Sequence, residues 1–214
     1  MTIYARRDFP WNLYEVLDNL DEHTNNMLLA AWITPNDPAI EAWIRAAADY
    51  HPDRVMTSGY HDRVDLRLAA LWDALNDVYS ITYVSTSFNI GDALFDGLRF
   101  QRIRFPSEVL HQRSANCIET TLLWASVAEA LQWHPYVVLT PDHAFVLIDA
   151  DPEGETAYAL ETTLIGQGNL EDALELGWDE WEDVRAHLLH DDEGYDVVDV
   201  WAAREAGILP MPWP

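Results

Sequence analysis

The chain has 214 residues, 49 % of them hydrophobic, which suits one substantial core or one core plus a small helical subdomain and excludes a disordered tail. Its formal net charge is -25 at pH 7, and all 12 basic residues are arginine; such a surface repels nucleic-acid phosphates and attracts a basic protein or peptide. There is no apolar run of about eighteen residues to span a membrane, no signal-like apolar stretch after MTIYARRDFPW, and only one cysteine, so the expectation is a reduced, cytoplasmic protein without an internal disulfide.

The first part of the chain reads as helix. Leu13, Val16, Leu17, Leu20, Met27, Leu28 and Ala31 are spaced for a helix from Trp11 to about Trp32. In ITPNDPAIEAWIRAAADYHP, Asn36 or Asp37 signals a start, Pro38 suits the first turn, and the helix stops before Pro52. Asp62 to about Tyr79 carries Val64, Leu68, Leu71, Trp72 and Leu75 along one face. SITYVSTSF then alternates as a strand does. Tyr4 to Ser80 is therefore expected to be a helical extension, with residues 81–214 forming the main domain.

From Phe100 the pattern changes. Pro106–Gln112 predicts a short helix, and Cys117–Leu131 a longer one with Ile118, Leu122, Ala125, Ala128 and Leu131 on one side. Pro135–Thr140, His143–Ala150 and Thr156–Ile165 predict three strands, with a turn at Asp151–Gly154. Asn169–Leu189 predicts an acidic helix, and VVDVWAAREAGILPMP a closing strand and helix. A helix followed by sequential strands points to an α+β fold with that helix on an antiparallel sheet.

The lone cysteine is the place where chemistry is expected. Cys117 opens a predicted helix, where free N–H groups and the helix dipole favour a thiolate and can bind an oxyanion. Its ordinary alternative is a structural core thiol. His143 opens a strand that the fold can return to the helix start, although a histidine on an apolar strand is commonly a core residue. With a turn centred near Pro152, antiparallel partners sum to about 304, which sets Glu161 opposite His143. A cysteine, a histidine and a carboxylate in that order of contact are the arrangement of acyl transfer.

NCIETTLLWASVAEALQWHPYVVLTPDHAFV followed by ALETTLIG resembles the transglutaminase-like superfamily of papain-like cysteine enzymes, in particular its prokaryotic domains. RIRFPSEVLHQRSANC and VVDVWAAREAGILPMP are also similar to that group, so the resemblance covers roughly residues 80–210. It implies that Cys117 is the nucleophile, His143 the general base, and Glu161 the carboxylate, at a position where many members carry aspartate. Asn116 stands where a small residue is common before the nucleophile. Asp142 stands where glycine is common before the histidine, and an acid there is expected to raise the imidazole pKa. The implied activity is thiol-dependent acyl transfer on peptide or isopeptide amides, with hydrolysis favoured. The alternatives are a protein-crosslinking transglutaminase and a non-catalytic protein-interaction module of the same fold.

No cofactor and no metal are expected. Asp149, Asp151, Glu153 and Gly154 have the phase of a calcium loop, but its twelfth position is Leu160, and a hairpin turn fits better. His187 and His190 read as a solvated face, and Trp124 and Trp133 as core. The absence of lysine suits a GC-rich genome or a high-salt host. It also suits an enzyme that works on lysine amines and carries no acceptor of its own.

Overall fold

The computed structural model describes residues 6–60, 63–85, 91–95 and 98–212. It is a mixed α+β protein. In chain order its elements are β1 (Asp8–Pro10), α1 (Glu22–Met27), α2 (Pro38–Ala47), α3 (Val64–Ala74), β2 (Thr82–Tyr83), β3 (Gly91–Phe95), β4 (Leu98–Arg102) and α4 (Pro106–Gln112). The second half adds β5 (Ser114–Ala115), α5 (Cys117–Ala130), β6 (Pro135–Leu139), β7 (Ala144–Asp149), β8 (Ala157–Leu160), α6 (Leu170–Leu188), β9 (Asp196–Asp199) and α7 (Val200–Glu205). The predicted starting points Tyr4 and Asp62, and residues 86–88 of the predicted strand over Ser80–Phe88, lie outside the described residues.

The N-terminal half departs most from its periodicity. The expected helix from Trp11 to Trp32 is broken into a 3-10 turn at Leu13–Glu15, the short α1, and a second 3-10 segment at Leu28–Trp32. Polar side chains capture the backbone in between. Asn12 donates to Glu15 and accepts from the Arg99 N–H at 2.6 Å, and Asp21 accepts the Thr24 N–H at 2.7 Å, which restarts the chain as α1. Val16 and Leu17, expected on the buried face, are exposed. Further along, α2 starts as expected, with Asp37 as its N-cap and Pro38 at the first position.

A four-stranded antiparallel sheet in the order β8-β7-β6-β9 carries the second half. The helix α5 packs on it, with many contacts to β7 and β6. The one-sided apolar face expected for α5 is not what forms: every residue from Cys117 to Ala128 is buried. A helix apolar all round must be covered all round, and residues from the first eighty supply the second cover. Trp124 meets Trp43 edge-on at 5.1 Å and lies 6.1 Å from Trp72. Described residues from both parts of the chain therefore share one main apolar core, beside a smaller cluster of Val138, Phe145, Leu147, Ala159 and Val184; burying each large side chain is worth about 1.5–3 kcal/mol.

Register decides what the sheet brings together. Val146 pairs with Leu160 and Asp149 with Ala157, so partners sum to 306 rather than the expected 304. β8 ends at Leu160, and Glu161 caps a 3-10 turn over Thr162–Leu164 instead of continuing the strand. His143 likewise lies just before β7. The direct opposition of His143 and Glu161 is thus incorrect. A two-residue shift preserves the face, however, and makes them diagonal neighbours, which a long side chain can bridge.

Candidate active site

Each element that carries a candidate side chain is fixed to α5 by a hydroxyl. Thr121 Oγ1 donates to the Ala144 carbonyl at 3.0 Å, which ties the helix to the residue after His143. Thr120 Oγ1 and Thr162 Oγ1 are 2.7 Å apart, which ties the same turn to the residue after Glu161. Both threonines are fully buried, so these bonds are made away from competing water.

The start of α5 is set by a reciprocal cap. Asn116 Oδ1 accepts the Glu119 N–H at 3.0 Å, and Glu119 Oε2 accepts the Asn116 N–H at 3.2 Å. Arg104 holds Glu119 from both sides, Nε on Oε1 at 2.8 Å and Nη2 on Oε2 at 2.5 Å. Asn116, expected beside the oxyanion site, thus acts as the cap that orients the helix start. The regular helical ladder begins with the Thr120 N–H on the Asn116 carbonyl. That leaves the amides of Cys117 and Ile118 at the open end of the helix, where an oxyanion can be bound.

His143 Nε2 lies 2.6 Å from Glu161 Oε2. The Cys117 thiol is in hydrogen-bonding contact with the same ring. Burial alone would lower the ring pKa, but the hydrogen bonds and charges of Cys117 and Glu161 outweigh it and hold it up to about 10. Asp142 is not among the causes. Its carboxylate turns to Thr140 Oγ1, 3.4 Å away, so the expected effect of this acid on the ring is replaced by that of Glu161.

Glu161 is 1 % exposed. Its Oε1 accepts the Thr163 N–H at 2.6 Å, and its Oε2 takes the imidazole. Burial would raise its pKa, but the His143 ring brings it below the usual glutamate value. The carboxylate therefore faces a ring held in its charged form.

Two further side chains were not legible in the sequence as parts of this site. Tyr83, in β2, hydrogen-bonds to Cys117, and burial followed by the nearness of Cys117 and Glu161 pushes its phenol up to about 12. It is a neutral O–H donor beside a sulfur that is only 6 % exposed. Replacing Tyr83 by alanine should uncover the thiol and speed its alkylation by iodoacetamide at least about tenfold, whereas Tyr83→Phe should change the rate far less. Equal rates in all three proteins would show that the tyrosine is no cover.

The second is Glu180, on α6, whose Oε2 is 3.8 Å from His143 Nε2. Its approach depends on Gly177, one turn earlier. A Cβ at Gly177 would lie 2.6 Å from the Ala159 carbonyl oxygen and 2.7 Å from the Glu161 nitrogen, so only glycine lets the helix rest on the end of β8. Gly177→Ala should lower stability by about 1–3 kcal/mol in chemical denaturation, despite a helix-propensity gain of about 1 kcal/mol. A more stable alanine variant would contradict the close contact.

An open cleft of about 440 Å³ reaches His143 between Asp142, Asp179, Glu180, Asp183 and Tyr195. His143, Glu161 and Glu180 also present ligand atoms within 4.8 Å of one another, a spacing that a single cation can span. No protein-family model, curated protein or solved structure matches the chain. The chemistry of the site therefore rests on its own geometry.

The weaker sequence marks resolve into local structure. Asp151 accepts N–H bonds from Glu153, Glu155 and Thr156 at 3.1, 3.0 and 2.8 Å, which makes the calcium-like stretch a self-bonded hairpin turn. His187 pairs with Asp192 and stacks on Tyr195, while His190 bonds the Ala186 carbonyl. Trp124 and Trp133 are fully buried. Among the described residues no helix is long and apolar enough to cross a membrane.

Proposed function

We propose that this protein is a thiol-dependent acyl-transfer enzyme of the transglutaminase-like type, acting on peptide or isopeptide amides by hydrolysis. The observation that carries the reading is His143, in hydrogen-bonding contact with Cys117 and, through Nε2, with the buried Glu161 at 2.6 Å. A nucleophile, a base and an oriented carboxylate in contact are what acyl transfer requires.

In this reading the Cys117 sulfur attacks the amide carbonyl carbon, and the amides at the start of α5 bind the oxygen as it gains charge. The imidazolium of His143 gives a proton to the leaving nitrogen, and the C–N bond breaks to leave a thioester. Neutral His143 then takes a proton from water, which attacks the thioester carbonyl; the acid product leaves and the thiol is restored. Glu161 holds the ring through both halves and balances its charge.

The test is to mix wild type and Cys117→Ala with a defined set of glutamine- and lysine-containing peptides, quench in acid, and analyse by mass spectrometry. An acyl adduct on Cys117, with cleaved or deamidated peptide in wild type alone, supports hydrolysis. Peptides joined through an amine would instead assign a crosslinking transglutaminase. No adduct and no product, with a thiol whose alkylation ignores His143→Ala, would overturn the enzyme reading and leave a binding module.

A further inference from the structure

Glu161 cannot be the proton-bearing member of its own surroundings. Both its oxygens already accept, from the Thr163 amide and from His143, and the ring it faces is held in its charged form. A second carboxyl group nonetheless stands beside it: an oxygen of Glu180 lies within 4.8 Å of an oxygen of Glu161 and of the His143 ring. Two carboxylates that close repel and, since each only accepts, cannot bond to one another; a proton on one of them relieves the repulsion and supplies a donor. Glu180 Oε2 is also buried without a hydrogen-bond partner among the described residues, and the His143 ring 3.8 Å away is already bonded to Glu161, so a negative charge on Glu180 is only partly offset.

We propose that Glu180 is a positioning residue for the triad: as a carboxylic acid it donates a hydrogen bond to Glu161 and holds that carboxylate against His143 Nε2. This rests on the Cys117–His143–Glu161 reading and extends the chain of contacts by one member. Gly177 makes the donor's approach possible, since α6 meets the backbone of Glu161 there. Burial first, then the charge and hydrogen bond of Glu161, raise the Glu180 pKa to about 8, and His143 only partly offsets them. The other titratable groups that face it across the cleft are Asp142 before β7, Asp179 and Asp183 on its own helix, and Tyr195 before β9. Cys117 and Tyr83 lie on the far side of the ring contact. The arrangement resists its own loss of proton up to mildly alkaline pH, and above that two carboxylates must separate.

Infrared spectroscopy of the full chain reads the proton directly. Wild type at pH 7 should show a protonated-carboxyl C=O band that is absent in Glu180→Gln, and that fades in wild type as pH rises through about 8. Nitrogen NMR of the His143 ring supplies a second readout. Glu180→Gln, whose amide can still donate, should keep the wild-type Nε2 signal, whereas Glu180→Ala should shift it. A wild type without the band, a band that survives in Glu180→Gln, or a glutamine variant as disturbed as the alanine one would each overturn the proposal. If instead His143→Ala leaves Cys117 alkylation unchanged, the triad reading fails while the carboxyl pair stands on its own spectrum.

Discussion

Glu161→Ala is expected to lower the melting temperature by about 10 °C at pH 5.5 and any Cys117-dependent turnover by about a thousandfold. Removing one member of a buried ion pair costs about 3–5 kcal/mol, because the remaining charge stays buried without its partner. For a chain of this length each kcal/mol is worth about 2–4 °C. The kinetic loss follows from a ring that is no longer held in the productive tautomer. The pH dependence has a definite sign. His143 has a folded pKa above its ordinary 6.5, so its contribution is complete below 6.5 and is lost as pH rises through about 10. Glu161 has a lowered folded pKa, so its contribution is present above about 4.5 and is lost as pH falls through the folded value. The difference in stability between wild type and Glu161→Ala should therefore be widest between about pH 4.5 and 6.5 and shrink toward pH 10. Calorimetry across that range checks it. A difference that stays flat from pH 5 to 10 would mean that no buried imidazolium–carboxylate pair exists.

The second half of the fold was legible because its signals are local and mutually consistent. Asn116 and Glu119 mark a helix start in sequence and form its cap in space. Asp151 marks a turn and closes one. The first half was less legible because its apolar spacing is helical while Asn12 and Asp21 divert the backbone, and periodicity does not register a polar side chain that competes for an N–H. Glu161 was found by a register estimate that missed by two residues and kept the right face. Its extra methylene, beyond an aspartate, then bridges the diagonal distance to His143. Tyr83 and Glu180 carried no such signal. Tyr83 enters through a parallel pairing of β2 with β5, which no local pattern announces, and Glu180 is one acid among many on an acidic helix. Gly177 offered a trace: a glycine inside a helix costs about 1 kcal/mol relative to alanine and invites a packing reason.

Glu180→Gln is expected to make the protein more stable at pH 8 while leaving it nearly unchanged at pH 5. A neutral Glu180 in the folded state must be set against an unfolded chain in which the same glutamate ionises near 4.5. Between 4.5 and about 8 the folded protein holds one proton more than the unfolded one at this site, so stability falls as pH rises. This slope is opposite to that of Glu161, whose lowered pKa makes stability fall with falling pH. At full burial the rise in the Glu180 pKa would correspond to about 5 kcal/mol. The side chain is 32 % exposed, and screening by solvent reduces this to about 2 kcal/mol at pH 8. Glutamine keeps a donor toward Glu161, has no proton to lose, and removes the slope, so its melting temperature should exceed that of wild type by about 4–8 °C at pH 8. A site that holds an acid at such a cost in stability is one where stability alone would have selected glutamine. The carboxyl group then earns its place only if its proton matters, and wild type should differ from Glu180→Gln in the pH profile of Cys117 alkylation near pH 8. Identical melting curves at pH 5 and pH 8 for the two proteins would return Glu180 to the ordinary acidic surface of α6.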